Sequence, residues 1–311
     1  MRILFTGASS FTGSWFVREL AAAGHSVTAV TTRELSEYPD ELRRRRIEGI
    51  AQSCRVVPGV LFGDEGFLEL ASEGGWDLLA HHAAEVRDYK SPGFDCVAAV
   101  ANNSRGLPKV LETLSAAGCG RVLVTGSVFE GGEGAGSDDL PDFSPYGLSK
   151  ALTSHVFRFY CRRAGMALGK FVIPNPFGPF EEPRYTAYLV KSWLQGKTPT
   201  CSSPDYVRDN IHVSLLAKAY ARFAGELPDK GFAHLGPSGY VESQGEFTER
   251  VAAAMRRRLD LPCAVQLAKQ TEFPEPRVRV NTDRLDTEAL GWDESAAWDD
   301  MAAWYLAESG R

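Results

Sequence analysis

Short apolar runs alternate with amphipathic stretches through the first half of the chain. Arg2–Thr6 (RILFT) predicts a buried strand. Residues 13–23 (GSWFVRELAAA) predict a helix, because their apolar positions recur every three to four residues. Gly24-His25 stops that helix, and residues 26–31 (SVTAVT) predict a second strand. Residues 56–61 read as a weaker third strand and residues 77–81 (DLLAH) as a fourth. A helix over roughly 97–117 follows, then strands at 121–125 (RVLVT) and 168–173 (LGKFVI). This rhythm predicts an α/β fold, a doubly wound parallel sheet with helices on both faces. Right-handed crossovers then place a ligand crevice at the carboxyl ends of the strands.

The pattern changes near Pro174, where prolines become frequent and the strand–helix rhythm breaks. The expected division is a nucleotide-binding domain over 1–173, with 206–231 returning to it, and a smaller lobe from 174–205 and 232–311. The return segment carries a helix near 213–224. The run from Arg43 to Arg46 stands beside Glu41 and Glu48, and reads as a solvated helix face.

Composition narrows the partner. The 311 residues are 44% hydrophobic and 24% charged, as in soluble globular chains. The 34 basic residues against 40 acidic ones leave a net charge of −6, so nucleic acid and anionic membrane are not expected partners. A small molecule is. The six cysteines, from Cys54 to Cys263, are scattered without a CxxC pair, which supports neither zinc nor a disulfide framework. No run approaches the roughly 20 apolar residues that cross a bilayer. Residues 1–8 enter a strand at once, so a cytoplasmic location is expected.

Thr6 to Gly13 (TGASSFTG) lies between a strand and a helix, where a tight turn can offer backbone N–H groups to a pyrophosphate. Gly7 and Gly13 stand where a glycine-rich loop needs them, and Ser10 replaces the middle glycine. The second strand ends Thr31-Thr32-Arg33 with no acid before Glu34. Two hydroxyls and a guanidinium suit the 2′-phosphate of NADP; the alternative is NAD, with Glu34 on the ribose. Asp64, after Gly63, suits an adenine amino group or equally a simple turn. His81-His82-Ala83-Ala84 closes the fourth strand; the small alanines admit a cofactor, and the neighbouring histidines point to opposite faces, against a metal site.

Ser144-Pro145 opens a helix that carries Tyr146 and Lys150. At i and i+4 both side chains share one face, and a fixed cation beside a phenol favours phenolate, a usable acid or base.

The set TGASSFTG, Asp64, HHAA (81–84), NSRG (103–106), TGS (125–127), YGLSK (146–150), NPFGP (175–179), RDNIHV (208–213) and LGW (290–292) resembles the extended short-chain dehydrogenase/reductases, the nucleotide-sugar epimerase/dehydratase branch, over nearly the whole chain. The resemblance implies a Rossmann-type doubly wound parallel sheet with a smaller carboxyl-terminal substrate-binding lobe, and a homodimer. It implies that Tyr146 moves the proton and Lys150 is its partner and ribose anchor. Ser127 or Thr125 hydrogen-bonds the reacting oxygen, according to which end of the strand is aligned; Ser127 is preferred. Gly7, Ser9, Ser10, Phe11, Thr12, Gly13, Thr32, Arg33, Asp64, His82, Ala83, Ala84, Asn103 and Pro174 would meet the dinucleotide, and Asn175, Arg184 and Arg208 the nucleotide sugar. The chain departs from the branch at Ser10, at Val172 in place of an arginine, and at Val128-Phe129 in place of the Asp-Glu pair that dehydratases use to eliminate water. Glu130, Glu181 and Glu182 are the acids that could enter the site instead. The implied activity is epimerisation through a keto-sugar; alternatives are an NADPH-dependent 4-keto-sugar reductase and a non-catalytic nucleotide sensor.

Overall fold

A computed structural model describes residues 1–137 and 139–310. The chain forms two compact units: Met1–Glu133, Pro141–Ile173 and Ala217–Gly236 make the first, and Gly134–Leu140, Pro174–Leu216 and Pro237–Arg311 the second.

The first unit is built on seven parallel strands: β1 (Arg2–Thr6), β2 (Ser26–Val30), β3 (Arg55–Val57), β4 (Leu78–His81), β5 (Arg121–Ser127), β7 (Ala167–Ile173) and β11 (Phe232–Leu235). Their order is β11-β7-β5-β4-β1-β2-β3, so the chain reverses direction across the sheet between β1 and β4. The strands are apolar on both faces because both faces are covered, as parallel sheets require. On one face Leu4, Leu79 and Val122 meet Phe67, Leu111 and Phe157 from helices α3 (Glu65–Ser72), α5 (Leu107–Ala116) and α6 (Pro145–Ala164). On the other, Phe16 of α1 (Phe11–Ala22) stacks on Tyr220 of α8 (Val213–Gly225) at 4.0 Å, with Phe171 edge-on to both. Each such aromatic contributes about 1.5–3 kcal/mol by burial. Helix α2 (Glu41–Ala51) leans on α1.

Three expectations change here. The helix over 97–117 is two helices, α4 (Cys96–Asn103) and α5. Gly106 between them adopts φ 58°, a left-handed turn that breaks the hydrogen-bond ladder, and Pro108 opens the second helix. The third strand stops at Val57, since Pro58 has no N–H for the ladder. The run from Arg43 to Arg46 is not wholly solvated: Arg46 is fully buried, its guanidinium 3.5 Å from the Ser9 carbonyl and over the Phe11 ring.

The second unit centres on β6 (Ala135–Gly136), β8 (Asn175–Phe177), β10 (Val207–His212), β13 (Tyr240–Ser243) and β15 (Val278–Val280), with parallel and antiparallel pairs mixed. Two ribbons pair β9 (Thr200–Cys201) with β14 (Gln266–Leu267) and β12 (Pro237–Ser238) with β16 (Asp283–Arg284). Its core joins Phe177, Trp193, Phe247, Met255, Trp298 and Tyr305, mostly from α7 (Tyr185–Leu194), α9 (Gln244–Leu259) and α10 (Glu294–Glu308). The return to the first unit therefore spans 217–236 rather than 206–231. Residues 207–212 pair within the second unit's sheet, and 232–235 extend the parallel sheet alongside β7. Because β10 runs straight into α8, no turn residue marks that boundary in the sequence.

Candidate active site

The glycine-rich loop closes over the ends of β1 and β4. Gly7 has φ 82°, and a Cβ there would lie 2.7 Å from the Ala83 nitrogen. A Cβ on Gly13 would lie 2.2 Å from the Gly7 carbonyl oxygen. Only backbone fits at either point, and the loop delivers the chain into the positive end of α1. Ser10 caps that helix in place of a glycine: its hydroxyl donates to the Gly7 carbonyl and accepts from the Gly13 N–H at 3.1 Å. This cradle of bare backbone at a helix start fits a dinucleotide pyrophosphate.

His82 ties the loop to the sheet. Its Nε2 lies 3.1 Å from Ser10 Oγ and 3.0 Å from Thr12 Oγ1, and its Nδ1 lies 2.9 Å from Thr125 Oγ1. His81 points the other way, its Nε2 on the Asn103 carbonyl and its Nδ1 on Thr6 Oγ1, which accepts from the Ala83 N–H. Burial, with the nearby Lys150 ammonium, holds both rings down to about 3, so both are neutral at physiological pH. Among the described residues, no three His, Cys, Asp or Glu side chains form a metal-binding group.

Tyr146 and Lys150 lie on α6, which Ser144 caps through the Gly147 N–H. Gly147 lets the start of the helix meet the turn after β5, for a Cβ there would lie 2.2 Å from the Phe129 carbonyl. Tyr89 and Phe94 set their rings 5.2 and 6.1 Å from the Tyr146 ring. Lys150 is buried, and burial lowers it to about 8, with Glu130 opposing the fall and Lys170 adding to it. The Ser127 hydroxyl accepts from the Phe129 N–H at 3.2 Å, while the Thr125 hydroxyl faces His82.

Other predicted contacts are engaged within the protein. Asp64 is the cap of α3, accepting from the Phe67 and Leu61 N–H groups. Asn103 is buried, accepting from the Glu85 N–H and donating to Thr153 Oγ1. Ala84 is half-buried beyond Ala83. Thr32 and Arg33 are exposed past β2, and Arg33 has no ion pair among the described residues. In the second unit, Pro174 is buried, Asn175 donates to the Asp209 carbonyl, and Arg184 lies 3.6 Å from Glu182. Arg208 stacks over Tyr206, donates to the Val207, Pro276 and Arg277 carbonyls, and pairs with Glu275 at 2.9 Å. These contacts engage the guanidinium within the second unit. Two of the candidate acids are engaged, Glu130 by Ser127 and Lys170 and Glu181 by Thr186 and Tyr305, while Glu182 lies 3.6 Å from Arg184. Tyr89, Phe94 and Lys170 had no motif to announce them; only contact reveals them.

A backbone cradle at the sheet's switch point, in the same unit as a Tyr-Lys helix, defines a Rossmann-type doubly wound fold. Residues 3–233 match the NAD dependent epimerase/dehydratase family, and the chain belongs to it. It is 26% identical to the UDP-glucose 4-epimerase of Mycolicibacterium smegmatis, over 96% of this chain and 95% of that protein. It is 30% identical to the dTDP-glucose 4,6-dehydratase of an Actinoplanes species, over 80% of each. The fold is also that of the Thermus thermophilus UDP-glucose 4-epimerase solved with NAD, with a TM-score of 0.71, 22% identity, and coverage of 98% and 99% of the two chains. No helix among the described residues is long and apolar enough to cross a membrane.

Proposed function

We propose that the chain epimerises a nucleotide sugar through a transient keto-sugar. In this reading Gly7, Ser9, Ser10, Phe11, Thr12 and Gly13 cradle the pyrophosphate of a nicotinamide dinucleotide, and Thr32 and Arg33 meet its adenosine ribose. His82, Ala83, Ala84 and Pro174 border it, and Asn103 holds β4 and α6 beneath it. The nicotinamide, when bound, supplies hydride acceptance and return. Tyr146 takes and returns the proton of a sugar hydroxyl, Lys150 keeps a positive charge beside it, and Ser127 hydrogen-bonds the reacting oxygen. Ser127 is preferred to Thr125 because the Thr125 hydroxyl is engaged with His82. Asn175 and Arg184 are the second unit's candidates for the sugar nucleotide. Homodimer assembly and a cytoplasmic location complete the proposal.

The observation that carries this reading is the fate of the acid nearest Ser127. Dehydration requires a carboxyl group free to move a proton, and the relatives include dehydratases as well as epimerases. Here Val128 and Phe129 follow Ser127, and the Glu130 carboxylate accepts from the Ser127 N–H at 2.7 Å and pairs with Lys170. That arrangement favours returning the hydride over losing water. A second reading, an NADPH-dependent reductase of a 4-keto-sugar, draws on the exposed Arg33 and the lack of an acid at the end of β2, both of which suit NADP.

The test incubates purified protein with a panel of nucleotide sugars and no added nicotinamide. Interconversion of two epimers, without net change in reduced-nicotinamide absorbance, is expected. Reaction only with added NADPH and a 4-keto-sugar, consumed in equal amounts, would establish the reductase, and loss of water from the sugar the dehydratase.

A further inference from the structure

Behind the end of β5 lies a chain of charged side chains that the reaction above does not use. Glu130 is fully buried in the turn after Ser127. One of its oxygens accepts from the Ser127 N–H at 2.7 Å. The other takes the Lys170 ammonium from β7 and lies 3.5 Å from the hydroxyl of Ser154 on α6. Ser154 stands one helical turn beyond Lys150, which itself stands one turn beyond Tyr146, so Glu130 meets the helix on the face that carries both. Lys170 also donates to Glu133 at 2.7 Å, and Glu133 reaches His234 at 2.8 Å near the surface.

The backbone makes room for this pair. A Cβ on Gly126 would lie 2.8 Å from both Glu130 Oε1 and Lys170 Cε. Lys170 lies two residues before Val172 and shares its side of β7, because strand side chains alternate. A buried ion pair with this many fixed partners is costly to form and seldom stabilises more than an apolar pair of equal volume. Its charge has a use if the neighbouring site needs it.

We propose that Glu130 is a positioning residue for the Ser127–Tyr146–Lys150 site: its buried carboxylate holds the end of β5 and supplies the anion facing Lys150, and Lys170 fixes it there. The groups whose charge acts on or answers Lys150 are Glu130 in the turn after β5, Lys170 on β7 and the neutral rings of His81 and His82 on β4, with Tyr146 on its own helix. Burial pulls the Lys150 ammonium down to about 8, and Glu130 is the group that counters the pull, while Lys170 adds to it. The anion thus keeps Lys150 charged at neutral pH, where its cation would favour the Tyr146 phenolate. The inference rests on the proposed roles of Tyr146 and Lys150, and its test reads the lysine directly.

The protein is labelled isotopically on lysine, and the Lys150 signal, identified by its absence in Lys150→Met, is followed by NMR against pH. Glu130→Gln is expected to lower the Lys150 midpoint by about one pH unit, the effect of losing a nearby opposite charge. Lys170→Met is expected to raise it, and Glu130→Gln/Lys170→Met to return it towards the parent value. General damage to the fold would not move one titration in opposite directions. An unchanged midpoint in Glu130→Gln, or shifts of the same sign in both single variants, overturns the proposal. If Glu130→Gln fails to fold, the sign in Lys170→Met decides. A shifted midpoint in a protein without epimerase activity would refute the proposed reaction and leave Glu130's role standing; full turnover with unmoved midpoints would do the reverse.

Discussion

The two units treat their buried polar groups differently. In the first, side chain answers side chain: Ser10, Thr12, His82 and Thr125 form one network, and Glu130, Lys170 and Glu133 another, both beside Lys150. In the second, Glu181 takes the Thr186 and Tyr305 hydroxyls, while other polar groups hold backbone. Asp209 accepts from the Gly239 and Asn281 N–H groups, Asn175 donates to the Asp209 carbonyl, and Arg208 gathers three carbonyls. A parallel sheet satisfies its own backbone, so its strand ends are free to gather side-chain chemistry. A small mixed sheet joined by long loops needs polar side chains to close those loops. The lesson concerns candidates of equal sequence merit: a polar residue in the second unit carries a heavier presumption of structural work.

The contrast can be broken most sharply at the first unit's centre. Tyr146→Phe should cut turnover by about a hundred- to ten-thousand-fold, with dinucleotide affinity and Tm unchanged, because the lost group acts only in proton transfer. Ser127→Ala should cost more turnover than Thr125→Ala, whereas Thr125→Ala should weaken dinucleotide binding by loosening His82. A greater turnover loss in Thr125→Ala would exchange their roles.

In the second unit the expected effect is on stability. Glu181 is pushed up to about 7, chiefly by burial, from an ordinary value near 4.5. A carboxyl raised in the folded state holds its proton more tightly there, so its contribution is full below about pH 4.5 and is lost as pH rises through about 7. Glu181→Gln should flatten that part of the stability curve, by at most about 3 kcal/mol, leaving the pH dependence of turnover unchanged. A change in the turnover profile instead would place Glu181 in the chemistry.

Arg33→Ala should weaken NADP by about ten- to a hundredfold and NAD little, since only NADP offers a 2′-phosphate. Equal losses in a titration of both cofactors would remove the NADP reading. The smallest effect belongs to Arg208→Lys. It should lower stability by about 1 kcal/mol through the lost fork and stacking, without altering substrate affinity. A clear loss of affinity would restore the diphosphate contact and narrow the difference between the units.

Period and spacing determined much of this protein without any tertiary information. Parallel strands buried on both faces must be apolar, so β1, β2, β4, β5 and β7 stand out in the chain. Gly7 and Gly13 announce the loop because no side chain fits there, and Tyr146 and Lys150 announce a shared face because a helix repeats every 3.6 residues. What lay beyond reach depends on pairs distant in sequence. That Arg208 pairs with Glu275, 67 residues away, is set by a neighbour that no local pattern encodes. Glu130 lies 40 residues from Lys170 and Tyr89 lies 57 from Tyr146, as 170 − 130 and 146 − 89 give. Only the folding of the sheet brings such residues within a few ångströms, where charge and burial acquire their chemical meaning.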